Sequence, residues 1–133
     1  PGETAMLLSV ELCSLTLQRD DLSIPNLIAS GLFGDGAAAV VLTGAERGGA
    51  GPVVVATRSA FYQGTEEVMG WRVGASGFRV VLSAEVPEMV RTHLRGDVDA
   101  FLAENHLGYE DIAVWVAHPG GPKVLQAMEE TRA

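Results

Sequence analysis

The sequence predicts an α/β fold, a mixed sheet layered with helices. Short, mostly apolar runs have the length of strands that are buried on both faces. Between them, apolar residues recur at spacings of three and four, which is typical of amphipathic helices. Strands that alternate with helices along the chain indicate this class. Because 133 residues can bury one core, we expect one compact unit or a piece of a larger protein.

The first part of the chain contains two predicted strands and a short helix. Residues 5–12 and residues 37–43 are apolar runs too brief for helices. Between them, Asn26 belongs to a residue type favoured as an N-cap, which predicts a short helix over residues 26–30. The glycines at 34 and 36 predict a tight turn into the second strand.

A glycine-rich segment predicts the domain seam. Residues 44–52 contain four glycines and a proline, which is the composition of a linker. The predicted division is therefore residues 1–46 and residues 47–133.

The second part of the chain is predicted to hold three strands and two helices. From Val86, apolar residues recur at helical spacing for about five turns, and we expect the helix to end before Gly108. Pro122 opens a final helix. The predicted strands are residues 53–57, 78–83 and 112–117.

The composition disfavours several classes of partner. Aspartate and glutamate outnumber lysine and arginine by 17 to 9, which gives a net charge of -8. We therefore expect neither nucleic acid nor an anionic membrane surface as a partner. The apolar runs fall far short of the roughly 20 residues of a membrane-spanning helix, and no signal-peptide pattern opens the chain. We expect a cytoplasmic protein.

The metal-binding and disulfide classes are also disfavoured. Cys13 is the one cysteine, which excludes an internal disulfide framework. The three histidines are scattered without the spacing of zinc ligands: His93, His106 and His118. We expect no metal site.

His118 is the leading candidate for a catalytic residue. It follows the predicted strand 112–117 and precedes two glycines and a helix start. Ligands gather at the carboxyl ends of strands in open α/β sheets. A histidine there can transfer a proton or donate a hydrogen bond to a developing oxyanion. The alternative is a histidine that closes the strand and bonds the backbone, and the residues alone leave both open.

Other candidate residues have structural interpretations. The turn at Gly34 formally matches the dinucleotide fingerprint G-x-G-x-x-A, but it leads into a strand instead of a helix, so we reject a dinucleotide site. Phe33 is interpreted as core packing or as a side chain that projects into a cavity. Cys13 has no basic neighbour within five positions to lower its pKa, which favours a buried or cavity-lining thiol over a nucleophile. Trp71 is interpreted as a packing residue at a turn.

The chain resembles the type III polyketide synthases, the chalcone and stilbene synthase family of the thiolase superfamily. The resemblance rests on GLFGDGAAAV at residues 31–40 and VAHPGGP at residues 116–122. The second stretch is the more specific, because ketoacyl synthase III enzymes share the first turn but hold their histidine in a different motif. Residues 10–16, 69–71 and 77–87 look like the bacterial branch. The resemblance implies a thiolase-like fold, in part.

The resemblance also implies an acyltransferase. In this family a cysteine nucleophile is acylated by a starter acyl-CoA, malonyl-CoA is decarboxylated, and the enolate condenses with the bound acyl chain. His118 matches the catalytic histidine, and Phe33 matches the gatekeeper phenylalanine between the CoA tunnel and the cavity. Acyl-CoA and malonyl-CoA are then substrates, no separate cofactor is expected, and the full-length parent is expected to be a homodimer. The remaining substrate-binding positions, at the cavity or beside the CoA arm, are Cys13, Thr16, Trp71, Val80 and Lys123.

The chain departs from the family in what it lacks. The nucleophilic cysteine of the family lies upstream of the first strand here, and the catalytic asparagine would lie beyond Ala133. We therefore expect an internal segment, about a third of the usual length, that does not catalyse the reaction alone. A thiolase-like fold buries each sheet between helices of both halves, so we also expect exposed apolar surface and poor solubility.

Two other functions stay open from the sequence. One is a ketoacyl synthase III-like acyltransferase that uses acyl carrier protein in place of CoA. The other is a non-catalytic thiolase-like module that binds or dimerises. The starter unit, the number of extensions and the mode of cyclisation depend on the volume of the cavity, which the sequence does not give.

Overall fold

The structure, a computed structural model, describes residues 2–132 and divides them into two packing units. The first unit contains residues 2–55 and 73–79, and the second contains residues 56–72 and 80–132. They are called unit 1 and unit 2 below. The domain seam after residue 46 stays a prediction.

Unit 1 is built on an antiparallel ladder of two eight-residue strands, β1 (Thr4–Glu11) and β2 (Gly36–Thr43). The register runs without interruption from Thr4 opposite Thr43 to Glu11 opposite Gly36. Valine, leucine and alanine dominate both strands, and the valines in particular favour the extended backbone. Both predicted strands are confirmed to within a residue or so at each end.

Both faces of this ladder are open to solvent. Every residue of β1 and β2 is exposed. Met6 and Val41, which pair across the ladder, are 62% and 65% exposed. The prediction that these strands are buried on both faces is therefore wrong for this chain, because the described residues cover neither face. The expected exposure of apolar surface is confirmed.

The helix of unit 1, α1 (Ile24–Leu32), confirms the predicted short helix but begins earlier. Ser23 occupies the N-cap position, and Pro25 lies in the first turn. Asn26 is inside the helix, only 7% exposed. Its side-chain amide donates to the backbone carbonyls of Gln18 at 2.9 Å and Asp21 at 2.6 Å. The N-cap role predicted for Asn26 is wrong, because its amide satisfies the preceding loop instead.

A second sheet is the hairpin of β3 (Met69–Gly74) and β4 (Gly77–Leu82). The prediction of β4 is confirmed. The placement of Trp71 at a turn is wrong, because Trp71 lies within β3. The segment MGWRVG holds two glycines, which weaken a strand pattern. Gly77 closes the turn with φ of 100°, a conformation that favours glycine.

Two predicted strands do not form. Residues 53–57 and residues 112–117 belong to no strand of the described chain. Val116, in the second of them, is 96% exposed. A run with high strand propensity becomes a strand when another backbone pairs with its N–H and C=O groups. Residues 2–132 supply no such partner to either run.

Unit 2 packs two helices together, α2 (Val86–Glu104) and α3 (Pro122–Arg132), and both confirm the predicted helices. Ala127 is fully buried, at 0% exposed. At the surface of the pair, Arg91 Nε donates to Glu130 at 2.7 Å. No helix within residues 2–132 is long and apolar enough to cross a membrane.

Helix α2 ends before the glycine that was expected to follow it. His106, one residue beyond the C-cap Asn105, has φ of 57°. The N–H of Leu107 then donates to the carbonyl of Leu102 at 2.9 Å, which satisfies an acceptor of the last turn. The stop is therefore made by His106, and Gly108 begins the next turn.

Tyr62 ties the segment before β3 to helix α2. Its hydroxyl donates to Asp97, and its ring stacks on His93 with centroids 4.2 Å apart. His93 and Asp97 are one helical turn apart, so they present one surface to Tyr62. The hydrogen bond to Asp97 raises the pKa of Tyr62 to about 12.

Replacing Ala127 by leucine is expected to destabilise unit 2 by about 1–3 kcal/mol, because extra methylene groups have no room at a fully buried position. The measurement is the free energy of unfolding in urea followed by circular dichroism. The matched control is Glu129→Leu on the exposed face of α3, which should change that free energy little. Equal effects of both substitutions would contradict the packing described.

Replacing Tyr62 by phenylalanine is expected to cost about 1 kcal/mol of unfolding free energy near pH 8, because the bond to Asp97 is lost. The pKa of Tyr62 is higher in the folded chain than its ordinary value of 10.0. The stabilisation is therefore complete below pH 10 and is lost as the pH rises towards 12. Thermal unfolding of both proteins at pH 8 and pH 11 checks this, and an advantage of the wild type that grows with pH would refute it. Phe61→Leu, at the exposed neighbour, is the control.

Candidate active-site residues

The structure divides the seven predicted site residues between the two units. Three lie in unit 1 and four lie in unit 2, and each group is described within its own unit. The groups are Cys13, Thr16 and Phe33 in unit 1, and Trp71, Val80, His118 and Lys123 in unit 2.

The unit 1 group lies just past one end of the β1–β2 ladder. The last pair of the ladder is Glu11 opposite Gly36. Continuing this antiparallel register brings residues 12–14 opposite residues 33–35. The chain then turns through a 3-10 helix over Cys13–Thr16, in which the Thr16 hydroxyl donates to the carbonyl of Cys13 at 2.8 Å. Cys13 and Thr16 are thus fixed relative to each other.

The segment that carries Phe33 is tied to this turn. The Asp35 carboxylate accepts two hydrogen bonds from Ser14, at 2.8 Å from its backbone N–H and at 2.6 Å from its hydroxyl. Phe33 is half-buried, and its own N–H donates to Ala29 at the end of α1 at 2.8 Å. The structure therefore joins the two segments that carry the three unit 1 residues.

The surroundings of Cys13 disfavour the thiolate. Desolvation and the neighbouring Glu11 carboxylate raise the pKa of the Cys13 thiol, and Asp35 adds to the effect. The thiol is 3.8 Å from Glu11 Oε1, within reach of a weak hydrogen bond. A thiol held in its protonated form is a poor nucleophile, which supports the interpretation of Cys13 as a lining residue.

His118 lies on an exposed loop that leads into α3. The loop depends on its two glycines: Gly120 has φ of 46° and Gly121 has φ of 100°. A Cβ at Gly120 would lie 2.9 Å from the Val124 side chain, closer than such contacts allow. The carbonyl of Gly121 accepts from the N–H groups of Val124 and Leu125, at 3.1 Å each, and so begins the helix. The His-Pro-Gly-Gly-Pro loop therefore contains two positions that favour glycine, Gly120 through its contact with Val124 and Gly121 through its backbone conformation.

An aromatic stack anchors the chain just before His118. Trp115 stacks on Tyr109 with centroids 5.4 Å apart. The Arg95 guanidinium, on α2, lies 4.6 Å from the centre of the Tyr109 ring, which is a favourable cation–π distance. The stack connects residues 109–115 to α2. Sequence reasoning missed it, because the three residues follow neither helical nor strand spacing.

The other three unit 2 residues lie on different elements. Lys123 is the second residue of α3 and is exposed. Trp71 is on β3, and Val80, half-buried, is on the paired strand β4. The substrate-binding roles of these residues stay predictions.

Unit 1 also contains a polar cavity of about 500 Å³ that the sequence did not reveal. The Gln18 side chain shapes it by donating to the carbonyls of Ser76 at 3.0 Å and Phe78 at 3.1 Å. None of the seven predicted residues lines the cavity. Its lining residues are Leu17, Gln18, Arg19, Asp20, Asp21, Leu22, Ser76 and Arg79. Within residues 2–132, no group of three histidine, cysteine, aspartate or glutamate side chains is placed to hold a metal ion.

Removing the Glu11 charge is expected to make Cys13 more reactive. Glu11→Gln lowers the pKa of the thiol, because a nearby negative charge is removed. The rate of alkylation by iodoacetamide at pH 8 should rise roughly two- to fivefold. Cys13 is the one cysteine, so labelling reports on it alone. Glu3→Gln makes the same change in net charge at a distance and should leave the rate as in the wild type. A rate that does not respond to Glu11→Gln would refute this electrostatic description.

Comparison with curated proteins finds 1,3,6,8-tetrahydroxynaphthalene synthases among the relatives of the chain. A 1,3,6,8-tetrahydroxynaphthalene synthase of Streptomyces peucetius subsp. caesius is 61% identical over 131 residues, which cover 96% of this chain and 34% of the relative. A synthase of the same name from Streptomyces coelicolor is 34% identical over 125 residues, 94% of this chain and 33% of the relative. The chain thus spans about a third of the length of these relatives. No family model matches it.

Comparison with solved structures gives the same result. The 1,3,6,8-tetrahydroxynaphthalene synthase of Streptomyces coelicolor, a bacterial type III polyketide synthase, superposes with a TM-score of 0.85 at 31% identity, over 96% of this chain and 36% of that one. The PKS-I of the brown alga Ectocarpus siliculosus superposes with a TM-score of 0.86 at 30% identity, over 98% and 35%. The predicted thiolase-like α/β fold is confirmed. By sequence and by fold, the chain is similar to a segment of the type III polyketide synthases that makes up about a third of their length.

Proposed function

We propose that this chain is part of a type III polyketide synthase that condenses a starter acyl-CoA with malonyl-CoA. One observation carries the proposal: 96% of the chain matches such enzymes both in sequence, at 61% identity, and in structure, with a TM-score of 0.85. No relative or structural neighbour reported above favours the ketoacyl synthase III-like or the non-catalytic alternative.

The proposed reaction is a decarboxylative Claisen condensation. Malonyl-CoA loses carbon dioxide, and the resulting enolate carbon attacks the thioester carbonyl of the enzyme-bound starter, whose sulfur leaves. Negative charge develops on oxygen in both steps, so a hydrogen-bond donor aimed at that oxygen lowers both barriers. His118 is the residue proposed for this role. Its loop is fixed by two glycines on one side and by the Trp115–Tyr109 stack on the other, and its side chain is exposed.

The proposed substrate contacts belong to the remaining six residues. Five of them are proposed to contact the acyl chain of the substrate: Phe33, Cys13, Thr16, Trp71 and Val80. Lys123 is a positive charge at the start of α3, where a phosphate of the CoA arm is favoured both by the ammonium group and by the helix N-terminus. We further propose a cytoplasmic homodimer with acyl-CoA and malonyl-CoA as substrates and no separate cofactor.

The proposal assigns the nucleophile to a part of the enzyme outside this chain. Cys13 is the one cysteine of the sequence, and its surroundings raise the pKa of the thiol. An acyl-enzyme requires a thiolate. The 133 residues alone are therefore proposed to be inactive.

The test is substitution of His118 in the intact parent protein. His118→Ala should lower the rate of condensation by about 10² to 10³, because a donor to the developing oxyanion is lost. His118→Gln keeps a hydrogen-bond donor and should retain part of the rate. The assay measures malonyl-CoA decarboxylation and polyketide formation, with circular dichroism to show that each variant is folded.

The matched control is His106→Asn, at an exposed histidine whose positive φ asparagine also tolerates. It should retain wild-type turnover. Undiminished turnover by folded His118→Ala would overturn the role of His118.

A further inference from the structure

The Asp35 side chain bridges the two segments that carry the unit 1 site residues. Its carboxylate accepts from both donors of Ser14, the backbone N–H at 2.8 Å and the hydroxyl at 2.6 Å. The two residues are 21 positions apart in the sequence. The bridge therefore fixes a tertiary arrangement and is not local turn chemistry.

The bridge lies just beyond the last hydrogen-bonded pair of the β1–β2 ladder. The β1–β2 pairing ends at Glu11 opposite Gly36. Beyond that pair, no ladder hydrogen bonds hold the Cys13–Thr16 turn against the segment that follows α1. The two hydrogen bonds from Ser14 to the Asp35 carboxylate join the two segments at this point. Cys13 directly precedes Ser14, and Phe33 is two residues before Asp35.

Asp35 is ionised under ordinary conditions. Hydrogen bonds from Ser14 lower the pKa of its carboxyl group below the usual value. Charge-assisted hydrogen bonds of this kind are shorter and stronger than neutral ones. Their geometric consequence is that the Cys13–Ser14 backbone cannot rotate away from the Phe33–Gly34 backbone while both bonds are present.

We propose that Asp35 is a positioning residue that determines product specificity by fixing the separation between Cys13 and Phe33. The proposal rests on the proposed function, in which these two side chains contact the acyl chain of the substrate. Asp35 itself touches no substrate in this scheme. Loss of the bridge lets the two segments adopt a wider range of separations. The enzyme then accepts polyketide chains of more than one length, or built on more than one starter.

Asp21 provides the matched comparison within the same unit. It also accepts a backbone hydrogen bond, from the N–H of Ser23 at 2.9 Å, and this bond likewise lowers the pKa of its carboxyl group. Its partner is two residues away, however, so the bond closes a local turn and joins no distant segments. Asp35 and Asp21 thus share charge and hydrogen-bond chemistry and differ in what they connect.

The experiment uses the full-length parent enzyme with four variants: Asp35→Ala, Ser14→Ala, the double variant Asp35→Ala/Ser14→Ala, and Asp21→Ala. The readout is the ratio of polyketide products from one starter acyl-CoA and malonyl-CoA, measured by mass spectrometry alongside total turnover. This ratio separates positioning from stability, because a partly unfolded enzyme makes less of every product in the same proportion.

Asp35→Ala and Ser14→Ala should each change the product ratio by at least about threefold, a shift in relative barriers well below the worth of a charged hydrogen bond. The double variant should differ from the wild type no more than Asp35→Ala does, since the two residues act through one bridge. Asp21→Ala should give the wild-type ratio. Ser14→Ala keeps the backbone donor and so remains informative if Asp35→Ala folds poorly.

An unchanged ratio in both single variants would overturn the proposal, as would independent effects that multiply in the double variant. The same ratio change in Asp21→Ala would also overturn it, because the effect would then be one of charge. In each of these cases the wild type still makes polyketide. If the wild type makes none, the proposed function fails, and the role of Asp35 in specificity fails with it.

Discussion

The backbone pairing of β1 with β2 is the constraint on which unit 1 depends. Its register determines which residues leave the ladder together, and so brings the Cys13 turn opposite the Phe33–Asp35 segment. Side chains alternate between the faces of a strand, so a slip of one residue would turn every side chain of the moved strand to the other face. Ser14 would then no longer lie beside Asp35, and the two hydrogen bonds between them would be lost. The site residues of unit 1 are thus positioned first by backbone hydrogen bonds and only afterwards by their own side chains.

Helix α2 has the corresponding role in unit 2. His93 and Asp97 of this helix contact Tyr62, and Arg95 contacts Tyr109. The helix also packs against α3, with a bond from Arg91 to Glu130 at the surface of the pair. The aromatic contacts tie down segments that form no sheet of their own. The loop of His118 is therefore held between a stack that rests on α2 and a helix that packs on α2.

The sequence predicted the features that depend on residues close together in the chain, and it missed those that depend on distant residues. The helices α2 and α3 and the Gly120–Gly121 loop depend on neighbours within a few residues, and the local pattern identified them. The strands β1 and β2 were identified by apolar runs of strand length, and each found its partner in the other. The contacts of Asp35 with Ser14 and of Tyr109 with Trp115 and Arg95 depend on how the folded chain places these side chains. No spacing in the sequence predicts them. The role of Asn26 was missed for the same reason, since its amide serves a loop outside the helix. Residues 112–117 show the reverse error: their propensity for the extended backbone is strong, but a strand also needs a second backbone beside it.

The open ladder has a consequence for the thermodynamics of folding. Most domains obtain their stability from the apolar surface that they bury in their own core, but the side chains of β1 and β2 remain in water. The apolar side chains of this sheet stabilise unit 1 only when another layer of protein packs on them and buries them. Folding of unit 1 and docking of that layer are therefore one linked equilibrium. Its apparent stability then depends on the affinity and effective concentration of that layer. β2 has no charged residue to discourage pairing at its edge. Until another layer of protein covers the ladder, docking of that layer therefore competes with self-association of the chain. Whichever of the two contacts forms first decides whether the chain docks or self-associates.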